Sequence, residues 1–114
     1  MNDYVKRNEP GVNFLGEQDG SPERRLKTSL RRRFTEMRTV ERAYLARVRY
    51  GTGRSDVALA LVTRGNEKDS VVKSVHEEFH ALFNASQHLD IMFLTAVQES
   101  EICLVCPPFF LADR

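Results

Sequence analysis

Residues 40 to 62, VERAYLARVRYGTGRSDVALALV, decide the fold. In the first half Val40, Tyr44, Ala46, Val48 and Tyr50 fall on one face, with Arg42 the one charged residue among them. Glu41, Arg47 and Arg49 fall on the other face, beside Ala43 and Leu45. Successive strand side chains point to opposite faces, so this alternation reads as a strand with one dry side and one largely wet side. Gly51-Thr52-Gly53-Arg54-Ser55-Asp56 has the composition of a hairpin loop. Val57 to Val62 is an unbroken apolar run, the pattern of a strand covered on both faces, and Gly65-Asn66 ends it.

On the N-terminal side, Ser21-Pro22-Glu23 announces a helix. Ser caps, Pro suits the first helical turn, and an acid there meets the positive end of the helix. Leu26, Leu30, Phe34 and Met37 follow at helical spacing and give it one apolar face. Before it, Val12 to Glu17 reads as a short strand and Gln18-Asp19-Gly20 as a turn. On the C-terminal side, Asp69-Ser70 is a candidate cap for a second helix. Its stripe is Val72, Val75, Phe79, Leu82 and Phe83, and Asn84 is its stop. Leu89 to Leu94 reads as the last strand, and Glu99 to Cys106 as a short helix stopped by Pro107-Pro108. Phe109-Phe110 is expected to dock, because two exposed rings at a chain end would leave large apolar surface in water.

The element order is β-α-β-β-α-β with a short C-terminal helix, the split βαβ or ferredoxin-like pattern. The expected class is α+β, an antiparallel four-stranded sheet with both long helices on one face. Residues 1–11 read as a flexible lead-in and 12–114 as a single domain.

The chain has 114 residues, 41% hydrophobic and 29% charged, which is globular rather than disordered composition. A net charge of +1 gives no overall pull toward nucleic acid or acidic membranes, so a basic site must be a local patch. No apolar run approaches a membrane span, and Met1 to Gly11 lacks a signal-peptide core, so the expected compartment is the cytosol.

Leu15-Gly16-Glu17, Val40-Glu41-Arg42-Ala43-Tyr44-Leu45-Ala46, Leu89-Asp90-Ile91 and Pro107-Pro108-Phe109-Phe110 occur in that order. Together they resemble the C-terminal domain of SseB-like (enhanced serine sensitivity) bacterial proteins, over about residues 12 to 110. The resemblance implies a bacterial cytosolic α/β domain with no assigned reaction and no catalytic residues. Two features depart from the family. Its members usually carry a related domain N-terminal to this one, and the Pro that often follows Gly-Glu is replaced here by Gln18.

Several constellations carry potential chemistry. His76-Glu77-Glu78-Phe79-His80 matches H-E-x-x-H, which on a helix puts two imidazoles on one face for zinc with Glu77 as base. On a helical wheel, however, His76 borders the apolar stripe, His80 lies further round and Glu77 nearly opposite it. His88 follows too soon for a third ligand, and Glu101 lies at a plausible distance but outside the expected context. An amphipathic helix with a polar His/Glu face is the simpler reading. Arg24, Arg25, Lys27, Arg31, Arg32, Arg33 and Arg38 form in part a positive stripe on the first helix. A solvated helix face is its simplest reading; among partners it suits an acidic protein better than nucleic acid, since no stacking aromatics interleave with it. The free sheet face would present Arg42 with Tyr44 and Tyr50, or Arg47 and Arg49, according to register. Either a second chain or the terminal helix with Phe109-Phe110 would cover it.

Cys103 and Cys106 form one C-x-x-C at the tail of an apolar run. It supplies too few ligands for structural zinc and lies outside a strand-to-helix redox context, so both thiols read as small buried hydrophobes. Asp90, between apolar neighbours, is expected to be buried and paired. The functional expectation is therefore a protein-interaction module without a reaction centre or cofactor. It docks through Arg24, Arg31, Arg32, Arg42, Arg47 or Arg49, or forms a homo-oligomer through the open sheet face. Zinc-dependent hydrolysis through His76, Glu77 and His80, and nucleic-acid binding through the arginine-rich helix, are the alternatives.

Overall fold

The computed structural model describes residues 12–84 and 86–112. The lead-in at 1–11 lies outside them. The chain forms β1 (Val12–Glu17), α1 (Ser21–Met37), β2 (Val40–Tyr50), β3 (Ser55–Thr63), α2 (Lys68–Leu82), β4 (Asp90–Phe93), α3 (Ala96–Ile102) and β5 (Phe110–Leu111). The expected order of elements holds, with β5 added. The class is α+β.

The sheet differs from the expected one: it is mixed, has five strands, and runs β1-β2-β3-β4 with β5 also on β2. The ferredoxin-like order does not form because of the path of α1. β1 ends with Glu17 opposite Ala46, and Gln18 N bonds Leu45 O at 3.0 Å. The helix then advances along β2 toward Val40 rather than turning back, so β2 returns beside β1 and antiparallel to it. α2 instead reverses the chain, so β4 lies parallel to β3, with Ala58 opposite Asp90 and Leu61 opposite Phe93. β1 reaches only the C-terminal half of β2. The vacant edge at Arg42 and Ala43 is filled by Leu111 and Phe110.

Both faces of the sheet are covered. On one, Leu26, Leu30 and Phe34 of α1 and Val71, Val75 and Phe79 of α2 pack on Ala43, Leu45, Leu59 and Leu61. On the other, Ile102 and Cys106 pack on Tyr44, Ala46, Val48, Ala58, Ala60 and Met92. This explains the unbroken apolar run of β3. It also corrects the expectation of an open sheet face for homo-oligomer contact: Ala58, Ala60 and Met92 are fully buried. The covering group is the terminal helix, as one reading held, whereas Phe109 and Phe110 close the α1 side. There the Phe110 ring meets Phe34 edge to face at 5.7 Å.

Helix starts follow local chemistry. The Glu23 carboxylate accepts from Gly20 N at 2.9 Å, and the cap is Gly20 rather than Ser21. α2 begins at Lys68 without a side-chain cap, so Asp69 and Ser70 do not cap it. α3 starts three residues earlier than expected, from a reciprocal box. Thr95 Oγ1 accepts from Gln98 N at 3.1 Å, and Gln98 Oε1 accepts from Thr95 N at 2.9 Å. Backbone bonds from Leu104, Val105 and Cys106 continue its winding past Ile102.

Candidate interaction surfaces

The H-E-x-x-H residues lie on the outer side of α2. His76 and His80 are exposed, with ring centroids 5.9 Å apart. Glu77 and Glu78 instead grip Arg33 of α1, at 2.6 and 2.7 Å. Those two carboxylates raise the guanidinium pKa further. Arg33 is thus an interhelical clamp, and Glu77, the would-be base, is one of its jaws. Glu101 sits on α3, across the sheet from α2, so it cannot join the two histidines. Among the described residues no group of three or more His, Cys, Asp or Glu is arranged to hold a metal.

The arginines divide by what they already hold. Arg42 donates through Nε and Nη2 to Glu99 of α3. Tyr44 adds its hydroxyl to the same carboxylate at 2.7 Å and touches Cys103 Sγ at 3.3 Å. The Arg42 guanidinium, aided by Tyr44, holds the Glu99 carboxyl below the usual range. Burial chiefly raises the Tyr44 phenol. This cluster fastens α3 to the central strand, with Arg42 as a structural anchor. Arg47 and Arg49 are exposed on the α1 side of β2, beyond the end of the helix that covers Ala43 and Leu45. Arg24 and Arg32 are exposed on α1, and Arg31 donates to Phe109 O at 2.8 Å. Lys27, from the same stripe, is buried and paired with Glu17 at 2.7 Å and Asp19 at 3.0 Å.

The cysteines separate. Cys106 is buried, and desolvation pushes its thiol up to about 11. Cys103 is exposed, against the expectation that both are interior. It stands at the C-terminal end of α3, unlike the cysteine that opens the helix of a redox C-x-x-C. Asp90 is paired as expected, with Tyr50 Oη at 2.9 Å and His88 Nε2 at 2.5 Å, but it is only half-buried.

One surface was missed in the sequence. The large apolar side chains standing in solvent among the described residues are Leu104 (84% exposed), Val97 (69%), Leu111 (62%) and Val105 (42%). All four lie on the α3 side of the sheet. Val97, Leu104 and Val105 belong to α3 and the turn that extends it. Leu111 pairs with Arg42, and directly opposed residues share a face, so it points to the side on which Arg42 meets Glu99. Val97 and Leu104 recur at i and i+7, a spacing visible in the sequence. Without the register of the helix it cannot be told from the buried stripe of Gln98 and Ile102.

Compared with protein-family models, with curated proteins and with solved structures, the chain matches none.

Proposed function

We propose that this domain is a non-enzymatic protein-interaction module that acts by docking its outer surfaces on a partner protein. The observation that carries this reading is the apolar side formed by Val97, Leu104, Val105 and Leu111. Single exposed apolar residues are ordinary, but three large ones, Val97, Leu104 and Val105, on one short helix and the turn that extends it favour a contact surface, with Leu111 exposed on β5. Charged groups support the same reading, since several of them hold elements of the fold together. Lys27 is spent on Glu17 and Asp19, Arg42 on Glu99, and Arg33 on Glu77 and Glu78.

The role is that of an adaptor, an accessory factor or an immunity-type neutraliser in the bacterial cytosol. Membership of the SseB-like C-terminal domain family is part of the same proposal. Its four motifs fall on β1, β2, the start of β4, and the return that feeds β5. No helix among the described residues is long and apolar enough to cross a membrane. Nucleic acid is the weaker partner, given a net charge of +1 and the absence of stacking aromatics interleaved with the arginines of α1.

The test is a double substitution, Val97→Asp with Leu104→Asp, in the full chain expressed in its cell of origin. The wild type should migrate in gel filtration of the lysate as a species larger than a monomer, and the variant as a monomer with unchanged melting temperature. A wild type that is already monomeric, or a variant that keeps the larger species, contradicts the reading.

A further inference from the structure

α2 carries an exposed pair of imidazoles, His76 and His80, one helical turn apart. We propose that this pair chelates a single divalent transition-metal ion of the copper, nickel or zinc class. The site lies on the outer side of α2, away from the α3 side, and does not depend on the docking reading.

Spacing comes first. Residues at i and i+4 of a helix stand one above the other on the same face. Here the two ring centroids are 5.9 Å apart. An imidazole nitrogen binds such ions at about 2.0–2.1 Å, which sets the ring centroid roughly 3 Å from the metal. Two rings that share one ion therefore have centroids no more than about 6 Å apart, and the pair stands within that limit.

The ring nitrogens are available. His76 and His80 make ring contacts, but neither has a hydrogen-bond or ion-pair partner among the described residues. Glu77 and Glu78, between them in the chain, are drawn to Arg33 of α1. The turn that bears the pair is also held in place. Val75 and Phe79 are buried against the sheet, and the His80 ring meets Phe79 edge to face at 5.5 Å. Once one imidazole has captured an ion, the other is kept beside it at high effective concentration, so the second bond forms at little entropic cost. His88, the third histidine of the chain, is bonded to Asp90 instead.

Donor type selects the ion. Imidazole suits copper, nickel and zinc, whereas magnesium and calcium take oxygen ligands. No third His, Cys, Asp or Glu joins the pair among the described residues, so water or a donor from another molecule completes the shell. Two protein ligands hold an exchangeable ion and fall short of the four of a structural zinc centre or the three of a zinc hydrolase.

The experiment is isothermal titration calorimetry of the full chain with nickel chloride in a non-coordinating buffer, with magnesium chloride run in parallel. The expected result is saturable binding of one nickel ion and no binding of magnesium, with affinity reduced at least about tenfold by His76→Ala or by His80→Ala. His88→Ala, and Cys103→Ser at the exposed thiol, should each change affinity less than about twofold. The decisive variant combines His80→Ala with Ala81→His. It keeps the number of histidines and moves one of them about 100° round the helix, so it should bind as weakly as His80→Ala alone. All of these side chains are exposed, so each variant should keep the circular dichroism of the wild type. No saturable nickel binding, an equal loss in His88→Ala or Cys103→Ser, or full affinity in the relocated variant overturns the proposal. Those outcomes leave the gel-filtration result of the α3-side variant untouched, so the two readings fail separately.

Discussion

Arg42 lies on the dry face of β2, where a charge is least expected, and its partner explains it. Glu99 arrives on α3, which follows β4 after two linking residues, accepts from Arg42 and Tyr44, and fastens the helix over the sheet. Neither residue alone announces the pair, since they are far apart in sequence and joined only by the chain's path through α2 and β4. Replacing Glu99 by Gln should cost about 1 kcal/mol at pH 7, a modest figure because part of Arg42 stays in water. The sign with pH follows from the depressed carboxyl. Its contribution is complete above the unfolded value, near pH 4.3, and fades as the pH falls through the lower folded value. Urea unfolding at pH 7, 5 and 3 should show the gap between wild type and Glu99→Gln closing toward acid. A gap that is constant with pH would remove the ionised pair from the account.

A second residue-scale prediction concerns the end of α1. Arg38 closes the helix with φ at 65°, a left-handed conformation in which a Cβ is crowded. Its side chain is exposed. Arg38→Gly should therefore stabilise the chain by about 1 kcal/mol, read as a higher urea midpoint with unchanged slope. The thiols give a third. Iodoacetamide at pH 8 should alkylate Cys103 in the native protein and Cys106 only after unfolding, as followed by peptide mass spectrometry. Equal labelling of both in the native state would contradict the burial of Cys106.

At the scale of elements, the periodic segments were legible. The β2–β3 hairpin, the apolar stripes of α1 and α2, and the two-sided coverage of β3 all follow from side-chain spacing. What was not legible was direction. Whether a helix carries the chain onward or turns it back depends on the loops beside it. The three-residue link Gln18-Asp19-Gly20, pinned by Gln18 N to Leu45 O, sends α1 onward and replaces a split βαβ with adjacent antiparallel strands. The start of α3 is legible in Thr95-Ala96-Val97-Gln98, a capping-box pattern that lies directly after the apolar run Leu89 to Leu94. Thr95→Ala, which removes a reciprocal cap, should cost about 1 kcal/mol and raise amide exchange through Ala96–Ile102 ahead of the sheet. Exchange that is unchanged there would mean that packing of Ile102 alone holds the helix.

At the scale of the molecule, the sheet is closed on both faces and its polar interior is occupied with itself, so the surfaces that remain are outer ones. The arginines divided in a way the sequence stripe did not disclose. Lys27 and Arg33 fasten elements to one another, Arg24 stands 3.8 Å from Asp19, and Arg31 donates to the Phe109 carbonyl. The apolar side at Val97, Leu104, Val105 and Leu111 could not be found from periodicity, because outward and inward positions of a short helix carry the same kinds of residue. The most direct measurement is a photo-crosslinking scan in the cell of origin, with the probe placed singly at positions 97, 104, 105 and 111 and at 54, 73, 76 and 80. The account predicts discrete protein adducts from the first four positions and none from the others. Adducts that arise from positions 76 and 80 instead, or from every position equally, would contradict it.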